Sequence, residues 1–221
     1  MDDVLTYLAF GDSITSGNNV HWSERYPTLL ATYVEQLAQQ RVFVRNLGKS
    51  GLTSTKLLRQ LQNSRVRREM SRADLVTICI GGDDLLYGYL KWRLLNRPSY
   101  LPQSMKKLHR NMTAICHLLS AAAPFQCILG TFYNPFPNTP LAIEGVRHCN
   151  EQIIYPIATR FGFPVADLYG AFLGREHHLL DNYQSGFLED YIPFTPHSPI
   201  HPNKAGYHVI ADWFASRIFA F

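Results

Sequence analysis

Near its start the chain reads Val4-Leu5-Thr6-Tyr7-Leu8-Ala9-Phe10-Gly11-Asp12-Ser13-Ile14-Thr15-Ser16-Gly17. The run Val4–Phe10 is short, apolar and rich in β-branched and aromatic residues, which predicts a buried strand. Gly11 and Asp12 then predict a turn, and Ser13 follows at the carboxyl end of that strand, the edge where open α/β sheets bind ligands. Two roles are open to Ser13: the N-cap of a following helix, or a reactive group beside the N–H groups of a helix start.

The rest of the chain alternates between strand and helix patterns. Apolar runs predict four further strands, and helical periodicity predicts the segments that join them. The predicted strands are residues 42–47, 74–80, 126–131 and 164–168, and the predicted helices are residues 25–40, 53–61, 85–95, 103–122, 141–161 and 203–219. This order predicts one domain over residues 1–221, a three-layer α/β/α sandwich around a five-stranded parallel sheet. Residues 169–200 are irregular in pattern, as is typical of a functional lid or wall.

Composition and charge favour a globular protein. The chain has 221 residues, of which 46% are hydrophobic and 17% are charged, enough for a sizeable core. The net charge is only +4, and the densest basic cluster, Arg65–Arg72, also contains Glu69. That mixture is typical of a solvated helix face, so we expect no nucleic-acid partner.

The cellular compartment is predicted from what the sequence lacks. It shows no signal-peptide pattern and no run of about 18 apolar residues, so we expect no transmembrane segment. The cysteines have no metal-ligand spacing, and Cys79 and Cys127 lie in predicted strands, where free cysteine is a small buried hydrophobe. We therefore predict a reducing compartment, the cytoplasm, without disulfide or metal. A mature secreted form is the alternative.

Candidate chemistry lies at the predicted strand ends and before the last helix. Since ends of neighbouring parallel strands converge, four turns distant in sequence are expected to form one cleft. A serine needs a base to become a nucleophile, and acyl transfer needs donors for the oxyanion. His201 is the candidate base, and the backbone N–H groups of Ser13 and Gly51 are candidate donors; a surface histidine and a turn glycine are the ordinary alternatives. The four turns are Gly11-Asp12-Ser13, Asn46-Leu47-Gly48-Lys49-Ser50-Gly51, Gly81-Gly82-Asp83-Asp84 and Ser198-Pro199-Ile200-His201-Pro202-Asn203.

Together these turns resemble the four sequence blocks of the SGNH hydrolases, the GDSL-type lipase and esterase family. The resemblance covers nearly the whole chain and implies a flavodoxin-like fold acting on a small-molecule ester without a cofactor. It makes Ser13 the nucleophile and an oxyanion donor, Gly51 a second backbone donor, and His201 the catalytic histidine. The oligomeric state is left open.

Two positions depart from the family pattern. Asp83 stands where the family has an asparagine that donates to the oxyanion, and losing such a donor typically costs about 10²–10³ in kcat. Asp83 donates only if protonated; otherwise it repels the oxyanion or turns away. Ser198 stands where the family has the acid behind the histidine, whose loss costs up to about 10⁴ in serine proteases. A serine–histidine dyad, or a carboxylate supplied by Asp190 or Glu189, are the alternatives.

The sequence therefore predicts an esterase that works through an acyl-Ser13 intermediate with a weakened oxyanion hole. The alternative is a degenerate relative that binds an ester, glycan or acyl chain with little or no turnover. Two groups of aromatic and other apolar residues have two possible roles, as the wall of a pocket or as local packing. They are Phe172, Leu173, Phe187, Tyr191 and Phe194 in the irregular stretch, and Tyr87, Tyr89 and Trp92 after the third block.

Overall fold

A computed structural model describes residues 4–122, 124, 126–193, 195 and 198–219. Within them, five strands form one sheet in which every hydrogen-bonded pair is parallel, in the order β2-β1-β3-β4-β5. The strands are β1 (Leu5–Gly11), β2 (Val42–Asn46), β3 (Leu75–Cys79), β4 (Gln126–Gly130) and β5 (Val165–Ala166). The predicted parallel α/β architecture is confirmed, and this strand order is that of flavodoxin-like folds.

The helices connect the strands as the periodicity predicted. They are α1 (Ser13–Ser16), α2 (Tyr26–Ala38), α3 (Ser54–Gln62), α4 (Ser64–Met70), α5 (Gly82–Leu95), α6 (Tyr100–Ala122), α7 (Pro140–Cys149), α8 (Tyr155–Phe161), α9 (Leu168–Phe172), α10 (Glu176–Leu179) and α11 (Lys204–Ala215). A π-helical turn, Asn150–Ile154, joins α7 to α8, so the single helix predicted over residues 141–161 is interrupted. The stretch 169–200, expected to be irregular, holds α9, α10 and the 3₁₀ turn Leu188–Asp190.

Two apolar cores cover the two faces of the sheet. Alternate residues of a strand point to opposite faces, and on β1 Leu8 and Phe10 join one core whereas Tyr7 and Ala9 join the other. The first core is completed mainly by helices α3, α6 and α8, and the second by α2, α9 and α11. All four cysteines are buried free thiols, and for Cys79 and Cys127 this confirms the predicted role as small buried hydrophobes.

The switch in strand order lies at β1. From β1 the chain first crosses to the edge strand β2 and then returns to the other side of β1 as β3. Such a switch point leaves a crevice at the carboxyl ends of the strands, and Ser13 follows directly after β1. Among the described residues, no helix combines the length and apolar character needed to cross a lipid bilayer.

Candidate active site

Ser13 is the first residue of α1, on a tight turn after β1. A Cβ on Gly11 would overlap the Cys79 carbonyl oxygen, so only glycine lets β1 end this close to β3. Asp12 is the N-cap, and its carboxylate accepts a hydrogen bond from the Ile14 N–H at 3.1 Å. Because the capping role falls to Asp12, the N-cap alternative for Ser13 is wrong, and its side chain is left for another role.

The second block packs directly onto the first. The N–H of Lys49 donates to the Gly11 carbonyl at 3.0 Å, and the Asn46 amide donates to the Thr15 carbonyl at 2.6 Å. Gly51 lies in the turn that follows, with φ of +71°, a left-handed conformation that suits glycine. The sheet edge therefore brings this glycine turn beside the turn that carries Ser13.

The third block begins α5 and adds two carboxyl groups. Asp84 accepts hydrogen bonds of 2.7 Å from both the N–H and the hydroxyl of Ser54, which tie α5 to the start of α3. Asp83 precedes it, and its buried Oδ2 has no hydrogen-bond partner among the described residues. Burial of an unpartnered carboxyl oxygen is costly, more so when it is charged, and this favours the neutral form of Asp83.

Burial and mutual repulsion raise the pKa of the carboxyl groups in this cluster. The pKa of Asp12 rises to about 8 through burial and the neighbouring Asp83. The pKa of Asp83 rises to about 6 through burial and the charge of Asp84, with Lys56 opposing. Carboxyl groups packed this closely do not all ionise together. The site therefore retains a proton on this cluster in the pH range where an ordinary aspartate has lost it.

His201 is held by a short antiparallel bridge between Leu180 and Pro202. The N–H of Asp181 donates to the His201 carbonyl at 2.9 Å, and the N–H of Asn203 donates to the Leu179 carbonyl at 2.9 Å. Residues opposite each other in an antiparallel pair share a face, with Cα atoms about 5.5 Å apart. Asp181 and His201 are therefore cross-strand neighbours.

The side chains of His201 and Ser198 are both buried. Nδ1 is buried without a hydrogen-bond partner among the described residues, and the same holds for the buried hydroxyl of Ser198. Burial lowers the pKa of His201, and the charge of Asp181 opposes that shift. The Asn19 amide donates to the Asp181 carboxylate at 3.1 Å and helps to fix it.

Neither acid considered from sequence has an observed contact with His201 among the described residues. Asp190 accepts hydrogen bonds of 2.8–2.9 Å from Ser185 and Gly186 within its own loop. Glu189 is exposed. Asp181, which no sequence spacing pointed to, is the carboxylate beside the candidate base.

An apolar cavity of about 140 Å³ opens beside Ser13. Ser13 and Asp83 lie at its polar edge, and most of the remaining wall comes from apolar side chains of α5, α6 and α7 and of the segment after β4. These apolar residues are Leu85, Leu86, Leu101, Met105, Phe132, Phe136, Leu141, Ala142 and Val146. Asn150, at the π-helical turn, fixes Phe132 by hydrogen bonds of 2.8 and 2.9 Å to its N–H and carbonyl groups.

The irregular stretch 169–200 contributes less to this wall than one reading of the sequence predicted. Phe172 is fully buried and stacks on Tyr133 at 4.4 Å, whereas Leu173 and Phe187 are exposed. Tyr191 packs edge-on against Phe136, a wall residue, at 6.3 Å. Phe194 lies outside the described residues. Among the described residues of this stretch, those that line the cavity are Leu188 and Ile200.

The aromatic residues after the third block divide in the same way. Tyr89 lines the cavity. Trp92 packs edge-on against Tyr89, with ring centroids 6.2 Å apart. Tyr87 lies toward the second block instead. Its hydroxyl is close to Gly51, since a Cβ built on that glycine would be 3.4 Å from it.

Comparison with known proteins agrees with this arrangement. The model of the GDSL-like lipase/acylhydrolase family matches residues 9–209. The spore germination lipase LipC of Bacillus licheniformis is 23% identical over 216 residues, covering 94% of this chain and 93% of that protein. The lipase Lip_vut3 from a goat rumen metagenome superposes with a TM-score of 0.76 at 22% identity, covering 98% of both chains. The acetylxylan esterase Axe2 of Geobacillus stearothermophilus superposes with a TM-score of 0.68 at 17% identity, covering 98% of this chain and 96% of that chain. The chain therefore belongs to the GDSL-like lipase/acylhydrolase family, and it is a carboxylic ester hydrolase of that family.

Proposed function

We propose that the protein cleaves esters of short to medium acyl chains through an acyl-Ser13 intermediate. The observation that carries this proposal is the apolar cavity of about 140 Å³ with Ser13 at its edge. A cavity of about 150 Å³ holds a benzene molecule, so this one holds roughly six carbon atoms of an acyl chain. The apolar wall offers few partners for the hydroxyl groups of a sugar, whose burial without hydrogen bonds is costly.

His201 acts as the base in this proposal. It accepts the hydroxyl proton of Ser13 while Oγ attacks the ester carbonyl carbon, and the imidazolium then donates that proton to the leaving alcohol oxygen. Water, deprotonated by the same histidine, then attacks the acyl carbon; the bond to Ser13 Oγ breaks, Oγ takes the proton back from the imidazolium, and the acid is released. The backbone N–H groups of Ser13 and Gly51 bind the oxyanion in both steps.

Asp83 makes the oxyanion hole sensitive to protonation. Its Oδ2 is buried without a partner among the described residues, at the cavity edge that Ser13 shares. As a neutral carboxyl it donates a hydrogen bond to the oxyanion; as a carboxylate it repels that charge. The hole is therefore weakened at neutral and alkaline pH, where the site relies on its two backbone donors.

Ser198 and Asp181 share the role of the missing acid. The Ser198 hydroxyl, three residues before His201, and the ring Nδ1 are both buried without a hydrogen-bond partner among the described residues, and in the proposed reaction Nδ1–H donates to this hydroxyl, which orients the ring. It carries no charge, so stabilisation of the imidazolium falls to the carboxylate of Asp181 across the bridge. A carboxylate that does not hydrogen-bond to the ring stabilises the imidazolium less than the aspartate of a triad does, so we expect turnover to be slower than in an enzyme with a full triad.

The proposal is tested with a series of p-nitrophenyl esters from acetate to palmitate, with acetylated xylan beside them. We expect kcat/KM to be highest near hexanoate and Ser13→Ala to abolish turnover. A fluorophosphonate probe is expected to label Ser13 in the parent protein and to leave Ser13→Ala unlabelled. An unlabelled, inactive but folded parent favours the alternative, a relative that binds without turnover. A preference for acetylated xylan, the substrate class in the name of Axe2, contradicts the acyl-chain assignment.

A further inference from the structure

The hairpin of α5 and α6 ends in an exposed apolar tip. We define the tip as residues 92–98, the last residues of α5 and the start of the connection to α6. Leu94 and Leu95 there are 80% and 55% exposed. Earlier in the same helix Leu85, Leu86 and Tyr89 line the cavity. The apolar residues of α5 thus serve two surfaces, one inside the protein and one in solvent.

The hairpin that carries the tip also shows a charge asymmetry. No aspartate or glutamate occurs between Asp84 and Glu144, although this span holds six lysines and arginines. All six are exposed, and none forms an ion pair within the part of the chain that the structure describes. Without them the formal charge of +4 would change sign. They are Lys91, Arg93, Arg97, Lys106, Lys107 and Arg110.

The hairpin is held firmly enough to present this tip. A Cβ on Gly88 would lie 2.8 Å from the Ser104 Cβ, so the two helices approach closely at this glycine. The Ser104 hydroxyl donates to the Asp84 carbonyl at 2.8 Å. The connection is closed by the N–H of Arg97, which donates to the Trp92 carbonyl at 3.2 Å. Leu94 and Leu95 are therefore exposed at the end of a closely packed helical hairpin.

We propose that this tip docks the protein onto an anionic lipid surface, with Leu94 and Leu95 inserted among the acyl chains and the nearby cations Lys91, Arg93 and Arg97 against the headgroups. Leucines flanked by lysine and arginine are the composition of segments that lie in the membrane interface. Each cation near an anionic surface strengthens binding about fivefold. Nucleic acid would use the cations but gives the exposed leucines no partner, and that mismatch favours lipid.

Docking at the tip would also place the cavity near the lipid. Leu101 and Met105, near the start of α6, line the same cavity as Ser13. The two helices that carry the tip therefore also form the wall that receives an acyl chain in the proposed function. The docking itself does not depend on catalysis, and it is measured on the Ser13→Ala protein.

The experiment is sedimentation of the Ser13→Ala protein with vesicles of phosphatidylcholine alone or with 30% phosphatidylglycerol, a composition on the order used to mimic anionic membranes. We expect binding to the anionic vesicles only, weakening as salt rises. Leu94→Ser/Leu95→Ser is expected to weaken binding at least tenfold, and Arg93→Ala/Arg97→Ala by about 25-fold. Each of the two double substitutions is also made in a protein that keeps Ser13. We expect both of these variants to hydrolyse a water-soluble p-nitrophenyl ester at the rate of the parent protein.

Matched controls lie elsewhere on the surface. Leu37 on α2 is 60% exposed and belongs to the opposite layer, so Leu37→Ser is expected to bind like the parent. Arg41→Ala/Arg175→Ala removes the same number of charges from exposed positions outside the hairpin. The proposal is overturned if the hairpin and control arginine pairs lose vesicle affinity equally, or if Leu94→Ser/Leu95→Ser leaves vesicle affinity unchanged. A dimer that dissociates on Leu94→Ser/Leu95→Ser, without vesicle binding by the parent, overturns it as well.

Discussion

The backbone N–H of Asp181 lies 2.9 Å from the carbonyl oxygen of His201 and donates a hydrogen bond to it. This bond belongs to the bridge between Leu180 and Pro202, and it places an acidic side chain opposite the candidate base. In most triads the acid and the histidine are linked through Nδ1. Here Nδ1 of His201 has no hydrogen-bond partner among the described residues, and Asp181 acts on the ring through its charge.

Asp181→Asn is expected to lower kcat/KM for p-nitrophenyl hexanoate about threefold to tenfold, as for the loss of one nearby partly screened charge. Asp181 raises the pKa of His201 against the effect of burial. Since the base works in its neutral form, the acid limb of the kcat/KM profile moves to lower pH in the variant. Glu189→Gln, an exposed neighbour in the same stretch, is the control and is expected to change neither. A loss of activity without a shifted limb would mean that Asp181 is merely structural.

Asp83→Asn is expected to raise kcat at pH 8 by about tenfold to a hundredfold, because an amide donates to the oxyanion at every pH. In the parent, burial and Asp84 raise the pKa of Asp83 to about 6. Below that pH the neutral carboxyl donates, and above it the carboxylate repels, so parent activity falls as pH rises through about 6. The variant should lack that fall. An unchanged or lower kcat at pH 8 contradicts the weakened-hole account.

Ser198→Asp is expected to increase kcat about tenfold or more, because it supplies a carboxylate to the unpartnered Nδ1 of His201. The same change raises the pKa of the histidine, so the acid limb moves to higher pH, opposite to its shift in Asp181→Asn. Ser198→Ala removes the hydroxyl without adding charge and is the matched comparison. Should all three proteins turn over equally, Ser198 has no part in orienting the ring.

Sequence patterns predicted the strands and the turn that follows β1 because each is encoded by a short local stretch. Val4–Phe10 reads as a strand and Gly11-Asp12-Ser13 as its end without any distant partner. Asp181 could not be predicted because a bridge between segments about twenty residues apart brings it to His201. Asn150 was hidden inside a helical pattern that continues through the π-helical turn.

Asp12→Asn is expected to flatten the pH dependence of stability. Burial and Asp83 raise the pKa of Asp12 to about 8, from about 4 in the unfolded chain. Between these values the folded state holds a proton that the unfolded state has released, so the free energy of unfolding of the parent falls as pH rises. Asparagine still accepts from the Ile14 N–H but does not titrate. By chemical denaturation we expect equal stability near pH 4 and an advantage for the variant, on the order of a few kcal/mol, at pH 8; parallel curves would contradict this.

Gly145→Leu is expected to shift substrate preference from hexanoate toward acetate. Gly145 lies on α7 in the cavity wall, and a Cβ there would be 3.5 Å from the Met105 methyl group, an ordinary contact. The helix therefore accepts a side chain, which fills much of the space for an acyl chain. Each methylene excluded costs about 0.8 kcal/mol, so kcat/KM for p-nitrophenyl hexanoate should fall at least tenfold, while acetate turnover stays within about twofold. Ala121→Leu on the exposed face of α6 controls for added bulk. If hexanoate and acetate decline together, the acyl chain does not occupy this cavity.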